Sequence, residues 1–126
     1  MIVGIGIDIV EIARIKEVYL RHRERFLRRI LTPAESAYVL QYKDPSERLA
    51  GRWAAKEAAL KALGTGLAAG IGWREVEILP GAGGKPELVL HGQAAERARE
   101  LRAVKHHVTI THSGLLAVAQ VILEST

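Results

Sequence analysis

The sequence contains no cysteine, which excludes disulfide bonds and thiolate chemistry. No apolar run approaches the roughly 20 residues that a membrane-spanning helix requires. The N-terminus lacks a basic stretch followed by an apolar segment, so no secretory signal is predicted. Low-complexity tracts are also missing. Together these absences favour the cytoplasm, whose reducing conditions suit a chain without disulfides.

Aromatic residues are few: two Trp, three Tyr and one Phe, with no cluster suited to stacking on nucleic-acid bases. The formal net charge is nevertheless +4, which attracts polyanions. The charge alone leaves several partners open, namely nucleic acid, an anionic membrane, an acidic protein or a phosphorylated small molecule. The scarcity of aromatics argues against an RNA-binding module.

The chain has 126 residues, 48% of them hydrophobic, which suits a single compact domain over residues 1–126. Alternation and turn signals predict strands, and helical periodicity predicts helices between them. Because the strands are few and mostly adjacent, the expected fold class is α+β with a largely antiparallel sheet. The predicted strands are 2–10, 73–79, 87–91, 107–111 and 115–123, and the predicted helices are 11–29, one capped by Thr32, 46–63 and 93–103.

The first strand places Val3, Ile5, Ile7 and Ile9 on one face and two glycines with Asp8 on the other. Glycines on one strand face predict close approach of another backbone or a ligand. A dinucleotide-binding fingerprint would need a third glycine at position 9, so that interpretation fails. From the residues alone, a solvated edge residue or a helix cap is favoured over a functional carboxylate at Asp8.

The helix predicted over 46–63 carries Glu57 and Lys61 four residues apart, on the face that also holds Trp53. Such a pair is most often a solvent-exposed ion pair, but the aromatic neighbour favours a cleft. Gly64-Thr65-Gly66 follows directly. It suits a helix C-cap and also a backbone cradle for phosphate.

These motifs, in this order, resemble the holo-acyl-carrier-protein synthase family, the short bacterial type of the 4′-phosphopantetheinyl transferase superfamily. The resemblance covers nearly the whole chain. It rests on GIGIDIVEI at 4–12, RILTPAE at 29–35, LAGRWAAKEAALKALGTG at 49–66, GKPEL at 84–88 and VTITHS at 108–113.

The resemblance implies transfer of the 4′-phosphopantetheine arm of coenzyme A to a serine of apo-acyl carrier protein. Adenosine 3′,5′-bisphosphate would be released, and the reaction would support fatty acid biosynthesis. The family pattern makes Asp8 and Glu57 the ligands of Mg²⁺ and, with Lys61, the catalytic residues. Two carboxylates suit this hard cation, and phosphoryl transfer depends mainly on positioning and charge neutralisation. Whether Glu57 or a metal-bound water is the general base stays open.

The same resemblance implies further contacts and a homotrimer with active sites between subunits. His112 is equally suited to a packed structural role. For the arginines of the first predicted helix, Arg14, Arg21 and Arg25, the alternative is a solvated basic face. The five histidines show no zinc spacing. The implied coenzyme A contacts are Arg52, Gly64, Gly66, His107 and His112, and the implied contacts to the acidic acyl carrier protein are Arg14, Arg21 and Arg25.

Three alternatives stay open at this point. The first is a nucleic-acid-binding module, and the second is a structural trimer whose carboxylates form surface ion pairs. The third is a transferase with broader specificity for polyketide or peptide carriers, although such enzymes are about twice this length. No nucleic acid and no membrane are expected as partners.

Overall fold

The computed structural model describes residues 1–65, 67 and 70–126. A three-stranded antiparallel sheet has the order β1-β5-β4, and β2 and β3 form a separate antiparallel hairpin. This arrangement confirms the α+β prediction. The elements are β1 (Ile2–Glu11), α1 (Ile12–His22), α2 (Glu24–Ile30), α3 (Pro33–Val39), α4 (Ser46–Leu63), β2 (Val76–Pro80), β3 (Pro86–Leu90), α5 (Gly92–Glu100), β4 (Lys105–His112) and β5 (Leu116–Glu124).

The prediction of one helix over residues 11–29 is wrong, because the chain breaks at Arg23. This residue has a φ of 46° and separates α1 from α2. Its backbone N–H still donates to the Tyr19 carbonyl, which closes the last turn of α1. The break lets Tyr19 and Phe26 pack edge to face in one core cluster. No glycine marks the position, so the sequence carries no local signal for it.

Two boundaries differ from the predictions by three residues. Residues Trp73–Glu75 form a 3₁₀ turn, so the strand that was expected from residue 73 begins at Val76. The last helix ends at Glu100 rather than at 103. The predicted start of α3 is confirmed: the Thr32 hydroxyl accepts from the Glu35 N–H, and the Glu35 carboxylate accepts from the Thr32 N–H.

The glycine face of β1 packs directly on α4. A Cβ built on Gly6 would lie 1.9 Å from the Ala58 carbonyl oxygen, and one on Gly4 would lie 2.3 Å from that of Ala62. The predicted close approach is therefore an approach of helix backbone to strand backbone. A register shift between Ile2 and Gly4 turns Val3 toward the core, away from the face that the alternation assigned to it.

Alanines let α4 lie deep between the two sheets. Their short side chains lose no rotamer entropy on burial and allow the close packing that larger residues would prevent. The helix packs on both the three-stranded sheet and the β2–β3 hairpin. No helix in the described part of the chain is long and apolar enough to cross a bilayer. The core around it includes Ala54, Ala55, Ala58, Ala59, Val76, Ile78, Val121 and Leu123.

A buried ion pair joins α4 to α3 and β2. The Lys56 ammonium donates to Glu35 Oε1 at 2.8 Å and also to the carbonyls of Trp73 and Val76. The second Glu35 oxygen accepts from the Ile78 N–H at 2.8 Å. Burial lowers the pKa of Lys56, while the Glu35 carboxylate opposes that shift. Because both charges are fully hydrogen-bonded, they are tolerated in the interior.

We expect Gly6→Ala to destabilise the fold by about 3 kcal/mol, because the new methyl group overlaps helix backbone that has no room to move. Gly114→Ala is the matched control, since no atom lies within 4 Å of a Cβ there. Urea unfolding monitored by circular dichroism gives both values. Similar small losses for the two variants would contradict this account of the β1–α4 contact.

Candidate active site

Asp8 and Lys61 meet where β1 crosses the last turns of α4. The Lys61 ammonium donates to Asp8 Oδ1 at 3.1 Å and to the Ile7 carbonyl at 3.0 Å. The Asp8 side chain is only 18% exposed, whereas that of Lys61 is about half exposed. The strand motif and the helix motif of the sequence, more than fifty residues apart, therefore form one site.

Glu57 lies one helical turn before Lys61 and is half-buried. Burial raises the pKa of Glu57, and the Asp8 charge raises it further, while Lys61 opposes both effects. The two carboxylates are thus close enough to repel one another. A site of this kind stabilises a bound cation, because the cation relieves the repulsion.

The donor set fits Mg²⁺ in its chemistry. Two carboxylates from Asp8 and Glu57 supply hard oxygen ligands, and Mg²⁺ commonly keeps several waters and substrate oxygens in its remaining positions. Across residues 1–65, 67 and 70–126, no group of three or more His, Cys, Asp and Glu side chains is suitably placed to hold a metal ion.

The C-terminal end of α4 forms the wall of a cavity of about 430 Å³ beside these residues. Gly64 ends the helix in the left-handed conformation, with a φ of 78°, and its N–H donates to the Leu60 and Lys61 carbonyls. The Thr65 hydroxyl is buried and has no hydrogen-bond partner among the described residues. The prediction for Gly66 falls on a residue outside those described. The cavity is lined by Glu57, Leu60, Lys61, Gly64, Thr65 and Leu67.

Arg52 lies on another side of α4 from the carboxylates. Its side chain is covered by the Tyr38 ring, whose centroid is 4.3 Å from the guanidinium carbon, and the residue is 5% exposed. Burial lowers the pKa of Arg52. Its Nε–H has no partner in the described part of the chain. The hydrogen bond from Tyr42 and the charges of Arg52 and Arg48 lower the pKa of Tyr38, against the opposing effect of burial.

The two predicted histidines lie on β4, which β5 separates from β1. His107 Nε2 is 2.9 Å from Glu124 Oε1. His112 packs against Gly51 of α4, and its Nδ1 is 3.7 Å from Glu47 Oε1. Within one chain, the predicted coenzyme A contacts are therefore divided among separate surfaces.

The three predicted partner arginines are exposed on α1 and α2. Arg21 pairs with Glu17 at 3.3 Å, and Arg25 Nη2 lies 3.0 Å from His22 Nδ1. Arg14 is exposed two turns before Arg21 on α1. The break at Arg23 places Arg25 on the second helix, so the three do not share one continuous helix face.

Beside Arg25 lies an apolar groove of about 630 Å³ that the sequence analysis did not predict. Trp53 and Trp73 stack in it with ring centroids 4.7 Å apart. The sequence pattern places Trp73 in a strand, which gives no reason to expect a contact with Trp53. The groove depends on this contact between residues distant in the sequence. Its lining comprises Val18, His22, Arg25, Phe26, Arg29, Ile30, Trp53, Leu67 and Trp73.

The fold agrees with the comparisons to known proteins. A family model described as the 4′-phosphopantetheinyl transferase superfamily matches residues 4–118. The chain belongs to this superfamily. Within it, the chain is similar to holo-acyl-carrier-protein synthases. It is 53% identical to that of Nitratidesulfovibrio vulgaris over 125 residues, covering 99% of this chain and 100% of the relative.

Solved structures give the same assignment. The holo-acyl-carrier-protein synthase of Neisseria meningitidis is 34% identical with a TM-score of 0.89, covering 99% of this chain and 100% of that one. The synthase of Bacillus anthracis, in complex with CoA (3′,5′-ADP), is 39% identical with a TM-score of 0.82, covering 100% and 99%. The synthase of Helicobacter pylori, in complex with coenzyme A, is 32% identical with a TM-score of 0.83, covering 95% and 99%.

Proposed function

We propose that this protein transfers the 4′-phosphopantetheine group of coenzyme A to a serine of apo-acyl carrier protein and releases adenosine 3′,5′-bisphosphate. The observation that carries the proposal is the convergence of Asp8, Glu57 and Lys61 in a chain of this superfamily. Similar proteins bind coenzyme A, which supports the substrate. The reaction would serve fatty acid biosynthesis.

In the proposed reaction the serine oxygen forms a bond to the β-phosphorus of coenzyme A. The bond from that phosphorus to the bridging oxygen breaks, and the bisphosphate leaves with the electron pair. The serine proton passes to Glu57 or to a water beside it. Lys61 contributes positive charge near the phosphates, where fixed charges stabilise the transition state without reorganisation.

Asp8 and Glu57 are the residues that would hold Mg²⁺ in this proposal. The ion would neutralise the negative charge of the diphosphate and of the leaving group. Burial, and after it the Asp8 charge, raises the pKa of Glu57, and a bound cation would favour the ionised form of this carboxylate. Asp8 and the Ile7 carbonyl hold the Lys61 ammonium in place. In this proposal the ammonium lies on the side of the site where the phosphates bind.

The outer face of the three-stranded sheet supports the proposal of a homotrimer. Ile5, Ile7 and Ile9 of β1 are 58–59% exposed. Ile5 pairs with Ile122 and Ile9 with Val118 on β5, so the apolar surface spans two strands. Burying such a surface between copies is favourable. An active site between subunits would also account for the separation of Arg52, His107 and His112 from the carboxylates within one chain.

Arg14, Arg21 and Arg25 form the proposed docking surface for the acyl carrier protein. All three are exposed, Arg25 lines the apolar groove, and among the described residues only Arg21 has a carboxylate partner within its own helix. A basic surface beside an apolar groove suits an acidic helical partner, because opposite charges steer and orient the encounter.

Incubation of apo-acyl carrier protein with this protein, coenzyme A and Mg²⁺ should add one phosphopantetheine mass, as read by intact-protein mass spectrometry. A chelator should abolish the gain. Asp8→Ala and Glu57→Gln should each lower the rate at least about a hundredfold. Glu57→Gln should not lower the melting temperature at pH 7, since the raised pKa means that the ionised carboxylate costs the folded state stability there.

Glu24→Gln, which changes an exposed carboxylate on α2, is the control and should keep full activity. Wild-type rates in Glu57→Gln would remove Glu57 from the site. Absence of any mass gain from folded wild-type protein, across several carriers, would overturn the proposed function.

Replacing Arg14 and Arg21 together by Glu should raise the Michaelis constant for the carrier about tenfold and leave that for coenzyme A unchanged. The same double reversal at Arg99 and Lys105, both exposed, is the matched control. Steady-state kinetics with varied carrier gives the comparison. Equal effects from the two pairs would mean that only net charge matters, and that this surface is not the docking site.

Ile7→Glu should convert the trimer to monomers and abolish transfer, since it places a charge in the centre of the apolar sheet face. Leu40→Glu, at another exposed apolar residue outside the sheet, is the control. Sedimentation equilibrium reports the mass of each variant. A wild-type protein that sediments as a monomer while remaining active would exclude the trimer.

A further inference from the structure

Arg97 of α5 binds the C-terminal end of α4. Its Nε–H donates to the Leu63 carbonyl at 2.9 Å. Its Nη2 lies 3.7 Å from the point that a Cβ on Gly64 would occupy, so the guanidinium packs against the helix-ending glycine. The nearest carboxylate, that of Glu100, is 3.8 Å from Nη1 and is itself largely exposed. The positive charge of Arg97 is therefore only weakly compensated.

The end of α4 is an unfavourable place for an anion. The last carbonyls of a helix carry partial negative charge, which repels a phosphate. Yet Lys61 and Gly64 line the cavity at this end, beside the paired carboxylates. Lys61 is already engaged by Asp8 and the Ile7 carbonyl. The negative helix end still repels a diphosphate bound beside it, and a positive charge bound to that end reduces the repulsion.

We propose that Arg97 is a positioning residue for the anionic diphosphate of coenzyme A. It binds the Leu63 carbonyl at the end of α4, offsets the negative helix end and fixes the turn at Gly64. The inference rests on the proposed function and adds a residue outside every motif that carries the resemblance. The buried Thr65 hydroxyl, without a partner in the described part of the chain, adds a second polar group at this turn.

The kinetic signature follows from the charge of the substrate. The diphosphate keeps the same total charge in the bound state and in the transition state, so Arg97 stabilises both about equally. Loss of an interaction that is equally strong in the bound state and in the transition state raises the Michaelis constant and leaves kcat unchanged. A residue that only caps the helix would instead change the melting temperature and neither kinetic constant.

The test compares Arg97→Gln with Arg99→Gln, which removes the same charge from the same helix at an exposed site. Arg97→Gln should raise the Michaelis constant for coenzyme A about fivefold, with kcat within about twofold of wild type. Arg99→Gln should change neither. Arg97→Lys, which restores the charge, should recover most of the loss. If Arg97→Gln folds poorly, Arg97→Met keeps the packed stem and serves in its place.

If Arg97→Gln lowers the melting temperature but leaves the Michaelis constant for coenzyme A unchanged, the inference is overturned. Arg97 would then only cap the C-terminal end of α4. Equal effects at positions 97 and 99 would overturn it as well, since they would report net charge alone. These outcomes leave the proposed function standing, because the wild type and Arg99→Gln still transfer the group. A wild type with neither transfer nor affinity for coenzyme A would remove both proposals together.

Discussion

The close contact between the glycine face of β1 and the alanines of α4 is the constraint on which the site depends. Gly4 and Gly6 leave room for helix backbone where any side chain would collide with a carbonyl. Asp8 follows on the same face, so its carboxylate is delivered to the helix surface that carries Glu57 and Lys61. A wider strand–helix separation would move the two carboxylates apart and weaken any site they share.

The buried pair of Lys56 and Glu35 sets the rotation of α4 in this contact. Lys56 directs its ammonium into the interior, where Glu35 and two carbonyls use its donors. The next residue, Glu57, must then point about 100° around the helix, toward the site. Lys56 also donates to the carbonyl of Trp73, which lines the apolar groove. The buried ion pair therefore fixes the positions of both the groove and Glu57.

Local patterns predicted those parts of the structure that local physics decides. The capping box at Thr32 and the glycine end of α4 depend on neighbouring residues, and both are confirmed. Arg23 and Trp73 were misassigned because tertiary packing decides their conformations. The pairing of Asp8 with Glu57 came from the family resemblance, since no spacing rule connects a strand and a helix so far apart. The separation of Arg52 from the carboxylates depends on helix rotation and on Tyr38, which composition does not encode.

The outward isoleucines of β1 have a consequence for how the gene can vary. Most surface strands alternate between positions that selection holds fixed and positions free to drift, because one face meets only water. Here one face meets helix backbone, and the other presents the exposed isoleucines that we propose as an interface between copies of the chain. When every position of β1 is substituted and variants are selected for function, substitutions should therefore be lost at consecutive positions. An ordinary amphipathic strand would lose them only at every second position.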